Sequence, residues 1–284
     1  MLYVFQVLNG IGIGMIYFLI SIGLTLIFGI MNFVNFAHGA FYLLGAYLGY
    51  QVALSTGSFT LALITAPLAL AAIGWLSERY FLSRLYDIPH TYQILVTLGL
   101  SLVIQELVIS IWGPVGTTVA IPEALRGVIF IGGFPYPKYR IFVVLFAGIL
   151  ALLVWFLLER TRYGALLRAG SESTQMVSML GIDIYRLFSA TFALGALLAG
   201  IAGVLSAPLR GTDPFMSGEA LAIGFVVVVI GGLGRFEGAL VGSILVGVVQ
   251  SVMSSVWSEG ANIMIYVAMG LVILLRPRGL FGRA

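Results

Sequence analysis

Two sets of polar side chains interrupt an otherwise apolar chain, and neither is an enzyme's constellation. The first is the run Asn32-Phe33-Val34-Asn35-Phe36-Ala37-His38-Gly39, which puts two carboxamides and an imidazole beside a glycine. Such groups can satisfy backbone donors and acceptors freed where a membrane helix breaks. They can equally gate the mouth of a solute path, and Asn32, Asn35 and His38 are the candidates for that role. The second set is Thr97, Ser101 and Gln105, spaced i, i+4, i+8 and so on one helical face. This stripe either hydrogen-bonds neighbouring helices or lines a route for a polar solute such as an amino acid or a sugar. Glu106 beside it is an isolated acid near the end of the same span.

Other chemistry is excluded by what the chain lacks. There is no cysteine, so disulfides, thiolate metal sites and cysteine nucleophiles are out. The two histidines, His38 and His90, have no paired spacing for zinc. The one lysine, Lys138, lies between Pro137 and Tyr139, whereas a phosphate-binding loop needs a glycine-rich run ending in Lys-Ser/Thr. Neither a metal nor an organic cofactor is expected in this chain, and energy from ATP would have to come from another.

A third feature is a charged island, Glu159–Arg186, between long apolar stretches. Seven of the chain's 14 basic and 11 acidic residues fall in it: Glu159, Arg160, Arg162, Arg168, Glu172, Asp183 and Arg186. Ala165–Leu180 is rich in helix formers and free of proline. Gly164 and Gly181 bracket it, and Gly181 suits a C-terminal stop. Gly170 and Ser171 divide it into two short helices, with Ser171 capping the second and Glu172 in its first turn. Met176, Met179 and Leu180 share a face, which either packs on the chain's own bundle or enters a groove on an aqueous partner. Methionine adapts well to such surfaces.

The elements that must position these groups are membrane spans. The chain is 61% hydrophobic and 9% charged, with mean hydropathy +1.11, and residues 1–77 contain no Asp, Glu, Lys or Arg. A span takes about 20 apolar residues, which predicts nine, at 4–29, 35–54, 59–80, 91–112, 140–158, 186–206, 218–232, 239–256 and 262–275. The fold class is an all-α polytopic membrane protein, a bundle of about 8–10 transmembrane helices in a lipid bilayer. It forms one domain over 1–284, with a Gly/Pro-rich outer loop at 113–140. The seventh span and the join near Asn32–Asn35 are where a broken or re-entrant segment would change the count. The start reads as a retained span, since it lacks the basic region of a signal peptide.

Counting Lys and Arg in short loops gives the orientation. Arg79, Arg84, Arg160, Arg162, Arg168, Arg186, Arg235, Arg276, Arg278 and Arg283 fall on one side, and Arg126, Lys138, Arg140 and Arg210 on the other. That puts the island and the C-terminus in the cytoplasm and the N-terminus outside. Basic residues sit at span ends, so the net charge of +3 marks no nucleic-acid surface. In the outer half, Thr212-Asp213-Pro214 and Glu219 are either solvated loop charges or contacts for a soluble carrier. Small residues at i, i+4, such as Gly10/Gly14, Gly45/Gly49 and Ala199/Gly203, predict close helix packing. Phe36–Ala40 and Phe236–Ala239 echo one another weakly, as a parallel repeat would.

In order along the chain, Asn9-Gly10 with Gly14 to Gly29, Val34-Asn35-Phe36-Ala37-His38-Gly39, and Tyr163-Gly164 through Arg168-Ala169 to Leu180-Gly181-Ile182 resemble the LivH-type permease family. Gly231-Gly232-Leu233-Gly234 through Gly238 and Gly242, and the tail Arg276-Pro277-Arg278-Gly279-Leu280-Phe281-Gly282, extend the resemblance over nearly the whole chain. The resemblance implies the membrane subunit of an ATP-binding-cassette importer for branched-chain amino acids, working by alternating access in a bacterial or archaeal plasma (inner) membrane. Its partners would be a second, related permease, two cytoplasmic ATPase subunits and a periplasmic or lipid-anchored substrate-binding protein. Residues 159–186 would be the cytoplasmic coupling segment, with Arg168, Glu172, Met176, Met179, Leu180 and Gly181 as its ATPase-facing set. Urea, short amides or simple sugars are alternative solutes within the same superfamily. A stand-alone channel or secondary transporter is the rival class, and it calls for buried charge pairs that couple ions.

Overall fold

The computed structural model describes residues 2–86, 88–131 and 134–282. Arg283, counted above for orientation, lies outside the described residues. Eleven α-helices carry the fold: α1 (Leu2–Met31), α2 (His38–Thr56), α3 (Phe59–Tyr80), α4 (His90–Trp112), α5 (Lys138–Arg160), α6 (Arg162–Glu172), α7 (Thr174–Met179), α8 (Ile184–Arg210), α9 (Met216–Gly231), α10 (Phe236–Val256) and α11 (Ala261–Leu275). Each of the nine predicted spans coincides with one helix. The loop between α4 and α5 adds an antiparallel hairpin absent from the sequence reading, β1 (Val128–Ile131) with β2 (Phe134–Pro137), in which Ile129 faces Tyr136.

Among the described residues six helices, α1, α3, α4, α5, α8 and α10, are long and apolar enough to cross a bilayer. With 16 and 15 residues, α9 and α11 are shorter. At 1.5 Å per residue they cover only about 24 and 22 Å, less than a hydrocarbon core of about 30 Å.

The layering follows from the sequence of each helix. α1 has no charged residue and few polar ones, and a helix so largely apolar belongs at the centre. Of its spanning window 83% is buried, and it packs chiefly on α10 and α8, with α9 and α5 beyond. α3, α4 and α5 are only 17–28% buried and turn Leu61, Leu68, Leu102, Leu145 and Leu152 outward. An apolar outer face of this kind suits lipid or another membrane subunit.

Small residues make the central contacts. Gly10 and Gly14 of α1 meet the α10 backbone at Gly247–Val248 and Ser243–Ile244, so close that a Cβ on Gly10 would stand 2.5 Å from the Val248 Cα. On the other side of the core, α2 lies on α8. There a Cβ on Gly203 would run into the Tyr42 carbonyl and stand 2.7 Å from the Ala46 nitrogen.

The join between the first two spans is a real break. α1 ends at Met31, and Asn32 takes a left-handed φ of 47°. The linker then turns back along α1, so that His38, the first residue of α2, lies beside Ile20. At the matching point in the sequence echo, α9 and α10 are joined by a tight turn that presses Gly231 onto Gly238. The two junctions are built differently and show no repeat in their local structure.

The island forms α6 and α7. α6 begins at Arg162, so Gly164 lies inside it rather than before it. The division falls at Ser173, two residues past the Ser171 expected from sequence. Ser171 turns its hydroxyl back to the Arg168 carbonyl (2.8 Å), whereas Ser173 has extended backbone and accepts from the Met176 N–H (3.2 Å). Gly181 follows α7 with a left-handed φ of 78°.

Candidate functional site

Of the first polar set, Asn35 and His38 are fully buried and Asn32 is exposed. The Asn35 Oδ1 accepts from the Ala37 N–H at 3.0 Å, a local turn that starts α2. The His38 Nε2 lies 2.9 Å from the Ile20 carbonyl oxygen. A carbonyl can only accept, so the proton is on Nε2 and Nδ1 is a bare acceptor. Asn35 Nδ2 and His38 Nδ1 are both buried without a hydrogen-bond partner.

Thr97 joins this set and leaves its own stripe. Its hydroxyl accepts from the Phe36 N–H (3.0 Å) and donates to the Gln93 carbonyl (2.7 Å), so α4 holds the linker in place. Ser101 is half-buried, and Gln105 accepts from the Ser217 hydroxyl of α9 at 3.2 Å. Glu106 lies on the exposed side of α4. The stripe is thus spent on two different neighbours.

A longer polar chain, which the sequence reading missed, runs through the middle of the bundle. Arg210, the last residue of α8, reaches Glu219 in the first turn of α9 (3.3 Å) and donates from Nη2 to the Tyr17 hydroxyl of α1 (2.9 Å). Tyr17 donates onward to Gln250 Oε1 of α10 (2.6 Å), and the Gln250 amide donates to Asn262 Oδ1 of α11 (2.8 Å). The Arg210 guanidinium also lies over the Tyr17 ring, 5.7 Å from its centroid. Beside it the Tyr42 hydroxyl of α2 donates to Ser206 of α8 (2.7 Å). The short helices α9 and α11 begin at this chain, with Glu219 and Asn262 near their first residues.

Cavities follow the same line. One is lined at the hairpin end by Gln6, Asn9, Tyr136 and Arg140; a second shares Asn9 and Arg140 and descends to Tyr17, Tyr42 and Arg210; a third shares those three and continues to Glu219 and Ile223. At the opposite end a cleft opens between α1 (Ile22, Thr25, Gly29), α6 (Arg168, Glu172), the α9–α10 turn (Arg235) and the start of α10 (Glu237). On α1, Ile13, Ile16, Tyr17 and Ile20 point one way and Ile22, Leu26 and Gly29 nearly the opposite way, by their 3.6-residue spacing. The two openings are therefore lined by opposite faces of α1.

The α6–α7 pair is held on the bundle from one side. Gly164, Leu167, Gly170 and Val177 are buried, and the Tyr163 hydroxyl pairs with Thr191 of α8 at 2.9 Å. Burial raises that hydroxyl above the usual tyrosine range, which keeps it a proton donor. Arg168 ties α6 back to α5 through the Leu158 carbonyl and Glu159 (3.4 Å). Met176, Met179 and Leu180 are 68%, 75% and 76% exposed, an apolar knob facing away from the bundle.

A buried carboxylate that the sequence reading did not single out joins α3 to α8. Glu78 of α3 has no exposed surface and accepts hydrogen bonds from Tyr86 and from Ser189 of α8. Burial first, and the facing Glu78 second, push the Tyr86 hydroxyl above its usual range.

A helical bundle with six bilayer-length helices and a polar interior defines a multi-pass membrane protein. Residues 6–276 match the profile of the branched-chain amino acid transport system / permease component family, and the chain belongs to that family. It is 29% identical to the high-affinity branched-chain amino acid transport system permease protein LivH of Escherichia coli K12, over 98% of this chain and 95% of that protein. It is 30% identical to BraD of Pseudomonas aeruginosa, named for the same system, over 99% and 96%. A second kind of permease, LivM of Escherichia coli K12, is 28% identical over 94% of this chain and 68% of its own length. No solved structure matches the chain. The relatives are permease components of a transport system, and the LivH and LivM names place two permeases in one such system.

Proposed function

We propose that this chain is one permease half of an ATP-binding-cassette importer for branched-chain amino acids. The observation that carries the reading is the family match across nearly the whole chain. The second permease supplies the other half, two cytoplasmic ATPases supply the energy, and a substrate-binding protein delivers the solute at the hairpin end. ATP binds only on the ATPases, because the one lysine lies outside any phosphate-loop pattern. The basic residues around α6–α7 set that end in the cytoplasm of a plasma (inner) membrane by the positive-inside rule.

In this reading the structure is a closed state. His38, Asn35 and Thr97 hold the linker against α1 at Ile20, next to the point where the hairpin-side cavities end. Opening toward the cytoplasm would release that contact. The unpartnered Asn35 Nδ2 and His38 Nδ1 supply a reason for a second arrangement, since buried polar atoms without partners are costly. Thr97 serves this gate from α4, Gln105 further along that helix braces α9 at Ser217, and Asn32 supplies the backbone turn.

Reconstitution tests the reading. Proteoliposomes holding both permeases and both ATPases, with the binding protein outside, are expected to accumulate labelled leucine only with ATP inside. Uptake without ATP or without the ATPases would instead make the chain a stand-alone carrier. ATP-driven uptake of urea or a sugar with none of leucine would keep the class and overturn the solute.

A further inference from the structure

We propose that Arg210, Glu219 and Tyr17 form a transmembrane station for the charged end of a zwitterionic aliphatic amino acid. This rests on the importer reading and gives it a site. Arg210 and Glu219 face one another at 3.3 Å across adjoining cavities, at the level of Tyr17 near the middle of α1. The two side chains are 42% and 51% exposed, so both can reach a solute in the cavity. An amino acid entering there carries one charge of each sign and no net charge. It can part the pair while every charge keeps an opposite neighbour: its carboxylate takes the Arg210 guanidinium, and its ammonium takes Glu219. Tyr17 is already committed to both Arg210 and Gln250, so it fixes the guanidinium in place. The surrounding walls are aliphatic. Ile13, Ile16, Val143 and Leu209 line one side and Ile20 and Ile223 the other, which suits a branched apolar side chain and offers a sugar or urea few hydrogen bonds. A solute lacking either charge would part the pair and leave Arg210 or Glu219 without an opposite neighbour.

The chain has no cysteine, so Leu209→Cys makes a single thiol in the wall of the cavity. Labelling of that thiol by a small maleimide is followed by mass on this chain, in the assembled complex in nanodiscs. Leucine is expected to protect it, whereas leucinol (no carboxylate) and 4-methylpentanoate (no ammonium) are not. Adding Glu219→Gln or Arg210→Lys is expected to raise the leucine concentration needed for protection roughly tenfold or more, with assembly confirmed by size exclusion. If leucine protects equally well in both charge variants, or if all three solutes protect alike, the station is wrong. If the unsubstituted complex imports leucine and the thiol is never protected, the station is also wrong while the importer reading stands. If that complex imports no leucine at all, the importer reading itself has failed.

Discussion

Glu78 shows how much a single side chain can conceal. In sequence it is the first acidic or basic residue after 77 positions without one, inside the predicted span 59–80. In the fold it is sealed under Tyr86 and Ser189, joining α3 to α8 just where α8 leaves the charged island. Its worth lies in its donors, because a buried carboxylate that loses a hydrogen bond keeps the cost of its own desolvation. Tyr86→Phe removes one donor with little change in shape and is expected to lower stability by about 1–3 kcal/mol. A fall in the thermal unfolding midpoint of the purified chain in detergent checks this, and an unchanged midpoint would show that water replaces the phenol. The Tyr17–Gln250 and Arg210–Tyr17 bonds went unseen for another reason. Their partners lie 233 and 193 residues apart, and no local spacing rule can join them.

At the scale of elements, helix contacts are set by the absence of side chains. α2 and α8 approach at Gly203 because nothing else fits against the Tyr42 carbonyl. Gly203→Ala must push two core helices apart and is expected to cost about 1–3 kcal/mol, as overpacking does elsewhere. Gly99 of α4 has nothing within 4 Å of where its Cβ would be. There Gly→Ala is expected to be neutral or to stabilise by up to about 1 kcal/mol through helix propensity. Comparing the two unfolding midpoints separates packing from propensity, since propensity alone would make both changes favourable. Both helix ends around Ser173 were within reach of the sequence. Ser171 and Ser173 are both cap formers two residues apart, and the choice between them depends on which one takes up extended backbone as α7 docks through Val177.

For the whole molecule, α6 and α7 keep one face on the bundle and one in the open, as the coupling segment of the proposed importer requires. Leu167, Val177 and the Tyr163–Thr191 bond hold the pair to the bundle, and Met176, Met179 and Leu180 are free to enter a partner's groove. Met176→Asp with Leu180→Asp puts two charges on that knob without touching the bundle. The expected result is an intact purified chain with ATP-driven uptake lost and ATPase subunits no longer co-purifying. Normal uptake by this variant would place the ATPase contact elsewhere. The weakly buried α3, α4 and α5 remain as the apolar perimeter for lipid or for the second permease.

The sequence alone determined the class, the order of the apolar helices, the break at Asn32–His38 and the amphipathic island. These are local or compositional properties: runs of apolar residues as long as a bilayer is thick, polar residues where a helix cannot continue, and charges where water must be near. Tertiary structure alone decided that α1 is the central helix and that His38 meets Ile20. It also decided that Thr97 serves the linker, that Glu78 is sealed, and that five helices share one chain of hydrogen bonds from Glu219 to Asn262. Helices that are apolar on every face carry no periodic signal of which side faces a neighbour. In such a bundle small residues and rare polar groups choose the partners, and they do so only once the helices are already side by side.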